Sequence, residues 1–547
     1  MAIYGIDLGT TFCSAAYVER AQPRVVTLEN GGPTLPALLR FARAPDSRLL
    51  ALVGSRARRR DRVRDDSPGL IRGAKNYIGV REHVPGGPPW SIVGRELYAT
   101  DVAAFVLRAL GQIIRAQPEL PPLEAVVVTH PQRFRNAEKL ATAQAARMAG
   151  LELAGMITEP DAAAWAYGLH ERASTVGTFM VFDFGGGTLD VTLLRREPGA
   201  DGAARIHAVG SYGVQLGGAQ LDERIFEALI EKYRAQSGDT SFARDGLNDA
   251  TRERLLDLAE GFKVELNRDA AGDPAPMLRT RARAFAPIAD DGSEGEPARL
   301  KVTLGELSDW VAGEVDRAVA CADEALRRSN WRWNDVEEVL LTGGSSQLIV
   351  LQQRIRERCG GRVQVVFEEQ DHPLKPSTIV ASGAALYAAS LGRSDTGVRA
   401  RVDVRGVVPD AFSVRAYRVD AAAPSGRESV LHSLVEAGTP TPFIGTAQFT
   451  RRGAGRSLPV EVFEGRSIHD ATSMGTFHVE FDRDVPDGAP VEVQLRVAAN
   501  GALVLAVHDA RSGDWREARL DDAPGLYSEN ELADRQTWIQ NVRIECG

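Results

Sequence analysis

Two short segments carry the residues best able to handle an anion. Gly5-Ile6-Asp7-Leu8-Gly9-Thr10-Thr11 opens the chain, and Phe182-Asp183-Phe184-Gly185-Gly186-Gly187-Thr188-Leu189-Asp190 repeats its order. Each is an apolar run, an aspartate, glycine, a threonine and a second apolar run, with Asp7 and Asp183 standing 176 residues apart. Glycines in a tight turn leave backbone N–H groups bare, and such groups cup anionic oxygens at close range. A carboxylate repels phosphate, but it holds Mg²⁺ through water because magnesium keeps most of its hydration shell. One copy alone reads as an ordinary hairpin turn. Two copies, each led by an aspartate at the end of an apolar strand, point to phosphate. Neither is followed by Gly-Lys-Ser/Thr, so neither is a P-loop.

Further pieces suit the same chemistry. Glu159-Pro160 follows the apolar stretch Met156-Ile157-Thr158, which sets a carboxylate at a strand end before a helix predicted over 161–168. Val214-Gln215-Leu216-Gly217-Gly218 and Leu341-Thr342-Gly343-Gly344-Ser345-Ser346 are two more strand–Gly–Gly turns, the second leading into a helix. A helix N-terminus approached through paired glycines suits a nucleotide's phosphate or ribose.

The elements that must position these residues alternate. Over 1–390, short apolar strands such as 126–128, 179–182 and 339–341 are separated by helical patterns such as 136–149 and 251–267. That alternation predicts α/β architecture with sheets covered on both faces. Residues 391–407 have the composition of a linker. From 408 to 513 the helical period gives way to short alternating strands, including 460–463, 477–481, 491–495 and 503–507, the mark of a compact antiparallel β domain. Residues 514–547 have room for one short helix at most.

Composition bounds the rest. At 547 residues the chain is too long for one core, so about two to four domains are expected. A net charge of −9 argues against nucleic acid as the partner. The run Arg56, Arg58, Arg59, Arg60, Arg62 and Arg64 is interleaved with Asp61, Asp65 and Asp66, and reads as a solvated helix face. Cys13, Cys321, Cys359 and Cys546 are scattered, as free thiols in a reducing cytosol would be. No apolar run reaches the roughly 18 residues of a membrane span, and no secretory leader is recognisable, so a cytoplasmic protein is expected.

Taken in order, the motifs resemble the heat shock protein 70 family along almost the whole chain. Residues 6–11 match its Ile-Asp-Leu-Gly-Thr-Thr signature, and 182–191 match Phe-Asp-x-Gly-Gly-Gly-Thr-x-Asp-Val. Residues 159–169 are similar to its Glu-Pro-Thr-Ala-Ala-Ala-x-Ala-Tyr-Gly-Leu, and 74–79 to the stretch holding its catalytic lysine. Past the linker, 435–440, 460–465, 474–477 and 498–501 follow the order of its peptide-binding β domain. The resemblance implies a duplicated, actin-like two-lobed ATPase domain and then a small antiparallel β-sandwich. It implies ATP/ADP with Mg²⁺, K⁺ as an optional further ion, and slow hydrolysis.

By the same resemblance, Asp7 and Asp183 organise Mg²⁺ through water. Gly9, Thr10, Thr11, Gly185, Gly186, Gly187 and Thr188 surround the phosphates. Lys75, Glu159, Asp183 and Thr188 are the catalytic set, with Asp190 beside the attacking water. Gly217, Gly218, Glu260, Lys263, Asn267, Gly343, Gly344 and Ser345 complete the nucleotide site, with Glu260 and Lys263 at the ribose. Pro131 falls at a switch proline, and Lys139 near a family arginine. Expected partners are unfolded or hydrophobic peptide segments, a J-domain cochaperone and a nucleotide exchange factor, with no nucleic acid and no membrane. A stress-response chaperone is the implied function.

Four departures stand out. The two arginines that sandwich adenine in the family are replaced by Val264 and Gln347. The family's aspartate-flanked leucine linker is replaced by Val398-Arg399-Ala400-Arg401-Val402-Asp403, and 420–428 read as an insertion beside the peptide cleft. Only 34 residues follow the β domain, too few for the helical lid. The alternatives are a nucleotide-gated scaffold or adaptor whose β domain docks a fixed partner, an actin-like filament protein, and a small-molecule kinase on the same duplicated fold.

Overall fold

Strands that are apolar on both faces need a cover on each side, and the first two-thirds of this chain supplies it twice. The computed structural model describes all residues but 1, 45, 47, 60–68, 86, 169–176, 199–203, 272, 361–363, 367–374, 392–401, 406–407, 409, 420–426, 466–470, 498–502, 510–512, 514, 520–525 and 547. In the first lobe, Ala2–Asp7 pairs antiparallel with Phe12–Glu19 and parallel with Leu123–His130, which pairs parallel with Leu153–Thr158. In the second, Gly177–Phe184 pairs antiparallel with Leu189–Pro198 and parallel with Glu338–Thr342. Ala204–Val214 and Gln364–Val366 extend that sheet. The plan is the same in both, so the α/β domain is a duplication, and each copy has an aspartate in its central hairpin.

The strands expected at 126–128, 179–182 and 339–341 lie inside Leu123–His130, Gly177–Phe184 and Glu338–Thr342. The predicted helices at 136–149 and 251–267 run Asn136–Met148 and Asp249–Asp269. One core gathers Tyr4, Ile6, Phe41 and Phe105 in the first lobe, and another gathers Phe182, Phe226, Phe262 and Val315 in the second. A third joins the lobes at their floor, where the helices Glu159–Gly168 and Ile379–Ser390 meet Val127, Val181 and Leu340. Backbones touch there. A Cβ on Gly383 would strike the carbonyl of Ala162, and one on Gly5 would strike Ala385, which is why this contact is built from glycine and alanine.

Beyond the α/β domain, two four-stranded antiparallel sheets form a sandwich. One runs Arg427–Val435, Ala411–Val419, Gly455–Gly465, Thr472–Val485, and the other Phe443–Thr450, Pro490–Val497, Leu503–Asp509, Trp515–Arg519. Along Pro490–Val497 every second residue is buried, the alternation that places Val491, Val493, Leu495 and Val497 in the sandwich core. The β domain thus extends past residue 513 to Arg519. Of the expected linker, Val402–Arg405 is a strand added in parallel to Ala204–Val214 at the edge of the second lobe's sheet. Its charged centre at 398–401 and most of the 420–428 insertion lie outside the described residues, as do 498–501.

Two segments differ from the expectation. In the described part of the arginine run, Gly54–Arg58 is a short 3₁₀ turn, and Arg58 reaches across to the second lobe rather than into solvent. Residues 60–64 fall outside the described residues. The C-terminal segment holds the one short helix that was expected, and a strand besides. Glu529–Asn541 is helical and packs on the first lobe, where Tyr527, Leu532, Ile539 and Val542 enter the core. Arg543–Glu545 then adds a parallel strand to Leu49–Val53. Arg108 donates to the carbonyls of Ile539, Gln540 and Val542, closing the helix's C-terminal end. Residues 526–546 are therefore a structural part of the first lobe. Among the described residues no helix is long and apolar enough to cross a membrane.

Candidate functional site

The central hairpins of the two lobes face one another. In the first, Asp7 ends its strand opposite Ser14, and in the second Asp183 pairs in register with Asp190. Like charges directly across a ladder repel, and here both are buried. The loops between hairpin strands nearly touch. A Cβ on Gly186 would run into Thr11, one on Gly187 into Thr10 and Asn76, and one on Gly217 into Gly186 and Gly187. Only glycine permits this approach. Gly9 needs the same freedom, since its turn folds back on the Phe12 carbonyl. The N–H groups of Gly186 and Gly187 make no backbone hydrogen bond among the described residues. Thr188, buried, closes the loop by accepting from the Gly185 N–H at 3.0 Å.

Five charged side chains converge beneath the loops. Lys75, on the 3₁₀ turn Ala74–Tyr77, donates to Glu159 at 2.5 Å, and both are buried. Burial and then the Glu159 charge push the Asp7 carboxyl up to about 7, although Lys75 and the Thr129 hydroxyl oppose the shift. Asp190 rises to about 7 from burial and from Glu159. Asp183 is raised well above the carboxylate range by burial, Glu159, Asp7 and Asp190 together. Lys75 loses to burial but gains more from Glu159 and Asp7, so its pKa is raised and it stays charged. Four carboxyl groups share one ammonium in a buried site, so ionisation of Asp7, Asp183 and Asp190 is disfavoured until a cation is bound, and the arrangement favours one.

Among the described residues no three acidic, histidine or cysteine side chains are grouped to ligate one ion directly. Asp7 and Asp183 would hold a magnesium ion through its waters. Asp190 Oδ2 is buried without a partner, an acceptor left for a donor from outside the protein.

The remaining predicted residues surround this centre. Ser345 donates to the Gly185 carbonyl at 2.8 Å, and Lys263 to the Gly218 carbonyl at 3.2 Å. Gly343 holds φ +81° and crowds the Phe184 carbonyl, and Gly344 starts the 3₁₀ turn Gly344–Gln347. Three others are engaged within the protein. Glu260 accepts from Arg58 at 2.6 Å, Lys263 pairs with Asp222 at 2.7 Å, and Asn267 bridges Lys263 and the Ile349 N–H. Val264 is 46 % exposed on the same helix, one turn past Glu260.

Sequence reasoning missed two features. Thr129, at the end of an expected strand, hydrogen-bonds Asp7 at 3.1 Å. Arg40 and Arg72, with Arg58, reach from the first lobe to Glu253, Asp257 and Glu260 on the helix Asp249–Asp269, bridging the cleft. Thr129 could have been found as the polar residue ending an apolar run; the arginine bridges had no local signal.

The strand that carries Thr129 leads to the β-sandwich. Beyond Pro131, the Asn136 N–H at the next helix start donates to Glu464 at 2.9 Å, and Arg135 donates to Thr472 at 2.5 Å. Burial pushes Glu464 up to about 7 against the pull of Lys139, which is itself buried and lowered. The acidic centre between the lobes and the sandwich are thus joined by one strand–helix connection.

A family model described as Hsp70 protein matches residues 89–537. Heat shock 70 kDa protein 7, chloroplastic, of Arabidopsis thaliana is 26% identical over 550 residues, covering 96% of this chain and 70% of its own length. Chaperone protein DnaK of Elusimicrobium minutum (strain Pei191) is 27% identical over 517 residues, covering 93% and 75%.

Proposed function

The chain belongs to the Hsp70 family, and from that premise we propose that it is an ATP-driven chaperone binding exposed hydrophobic peptide segments in its β-sandwich. The observation that carries this reading is the continuous connection from Asp7 and Thr129 to Glu464. A nucleotide-dependent movement at the lobes can reach the sandwich through it. In the site proposed here, Asp7 and Asp183 hold the waters of Mg²⁺, which when bound neutralises phosphate charge. The loops 9–11 and 185–188 cradle the phosphates with backbone N–H groups, and Lys75 faces the terminal phosphate. Glu260, Lys263 and Ser345 line the nucleoside side. A J-domain cochaperone and a nucleotide exchange factor are the partners this reading implies. Four free thiols support a reducing, cytoplasmic setting. The test is ATP turnover with and without a library of unfolded peptides. Stimulation supports the reading, and turnover indifferent to every peptide counts against it.

A second reading has its own support. The sandwich is held at both ends, by Val402–Arg405 on the second lobe and by the helix Glu529–Asn541 on the first. Such double anchoring suits a nucleotide-gated scaffold with one fixed partner. Peptide kinetics separate the two. The C-terminal helix lies on the first lobe and not over the sandwich, so nothing in the described tail slows peptide escape. A labelled hydrophobic peptide should therefore leave fast, at rates that differ little between ATP and ADP. Slow release in ADP that accelerates many-fold in ATP would contradict this, and binding of no peptide would favour the scaffold.

Adenine should be held loosely. With Val264 half exposed on its helix and Gln347 ending the turn Gly344–Gln347, the base lacks guanidinium planes that contribute about 0.5–2 kcal/mol each. Val264→Arg with Gln347→Arg should tighten ATP roughly tenfold and raise its preference over GTP. Calorimetry that finds no gain would mean another side chain already stacks on the base.

A further inference from the structure

The 3₁₀ turn Ala74–Tyr77 sends consecutive side chains to different partners. Lys75 turns inward to Glu159, where a 2.5 Å ion pair holds it. Asn76 crosses the cleft between lobes. A Cβ on Gly187 would meet its Oδ1 first and Thr10 next, so the amide stands at the tip of the second loop beside the first. Its Oδ1 is buried and has no hydrogen-bond partner, while its backbone N–H is satisfied by Gly73 at 3.1 Å. Buried amide oxygens almost always have partners, so an orphan at the meeting point of two anion-cradling loops calls for one from outside the protein.

An amide is suited to this position. It offers an acceptor and a donor side by side, is neutral, and so neither repels phosphate nor competes with Lys75 for Glu159. Half a turn of the amide exchanges oxygen for NH₂ at the same point, so it can face a water and a phosphate oxygen together. The nearby carboxylates do not share this property: Glu159 is committed to Lys75, and Asp7, Asp183 and Asp190 are the groups suited to the cation.

We infer that Asn76 is a further catalytic residue, which orients the water attacking the terminal phosphate. This rests on the ATPase reading above. The water donates one hydrogen to Asn76 Oδ1, which aims its lone pair at phosphorus. The new P–O bond forms from water as the bond to the bridging oxygen breaks. ADP leaves with that electron pair, and the water's proton passes to the phosphate product. Orienting a water through a neutral amide is an established device of phosphoryl transfer on unrelated folds.

The test is single-turnover hydrolysis at saturating ATP in the full chain, with ADP affinity measured by calorimetry beside it. Asn76→Ala should slow hydrolysis about 10- to 100-fold and leave ADP affinity and the melting temperature unchanged. Asn76→Asp keeps the shape but sets a charge against the phosphate, and it should be at least as slow with weakened ATP binding. If the parent hydrolyses ATP and both variants match its rate, Asn76 has no catalytic role and only this inference falls. Loss of ADP affinity and stability in step with rate would overturn it too, by showing packing alone. A parent without turnover would overturn the ATPase reading and this inference together.

Discussion

Replacing Lys75 by alanine should abolish most turnover, by about 10²–10³-fold in a single-turnover measurement, while nucleotide still binds. Hydrolysis develops charge on the terminal phosphate, and a fixed ammonium in a dry site stabilises it more there than in the ground state. The site keeps Lys75 charged, because Glu159 and Asp7 outweigh the cost of its burial. The same ion pair complicates the experiment, since removing one partner of a buried pair leaves the other charge uncompensated at a cost of about 3–5 kcal/mol. Lys75→Ala should therefore be compared with Lys75→Ala/Glu159→Gln, which removes the stranded charge. If turnover is lost in both while the double variant regains stability, the lysine acts on the phosphate. Parent-like turnover in the double variant would assign Lys75 a structural role only.

Removing the C-terminal segment should unfold the first lobe. Tyr527, Leu532, Ile539 and Val542 are buried in its core. Trp538 stacks edge-on against Phe105 with centroids 5.5 Å apart. At about 1.5–3 kcal/mol for each buried side chain, their loss rivals the 5–15 kcal/mol that holds a whole domain together. Polar losses add to this. Asp101, fully buried, accepts from the Tyr98 N–H at 2.8 Å, the Tyr527 hydroxyl at 2.8 Å and Arg535 at 2.5 Å. A chain ending at residue 525 should lose cooperative melting of the nucleotide domain while the sandwich keeps its far-ultraviolet strand signal. In the full chain, Ile539→Ala alone should cost about 2–5 kcal/mol by denaturant titration. A truncated chain that melts like the parent and binds nucleotide would show the helix to be a passenger.

Much about this protein was determined by sequence alone. The paired Asp-Gly-Thr segments and the ordered motifs around them are local signals, each a few residues long, and together they placed the family and the duplicated α/β architecture. The helical period up to residue 390 and the strand alternation after 408 separated the lobes from the sandwich, because burial imposes its period on every element it touches. Hence 491–495 read as a half-buried strand from sequence alone, and they lie inside Pro490–Val497.

What only the tertiary structure decided are the meetings between distant segments. The sequence 56–64 looks like a solvated face until Arg58 is set against Glu260, 202 residues away. The segment 526–546 has a weak apolar pattern, since the helix Glu529–Asn541 buries Leu532 and Ile539 and lends Trp538 to a neighbouring aromatic cluster. Too few positions repeat to distinguish a docked helix from a free one. Asn76 is one polar residue in a turn until Gly187 of the other lobe is brought against it. Periodicity reports that a face is buried, never against what, and the partner across a cleft is chosen by the packing of two lobes.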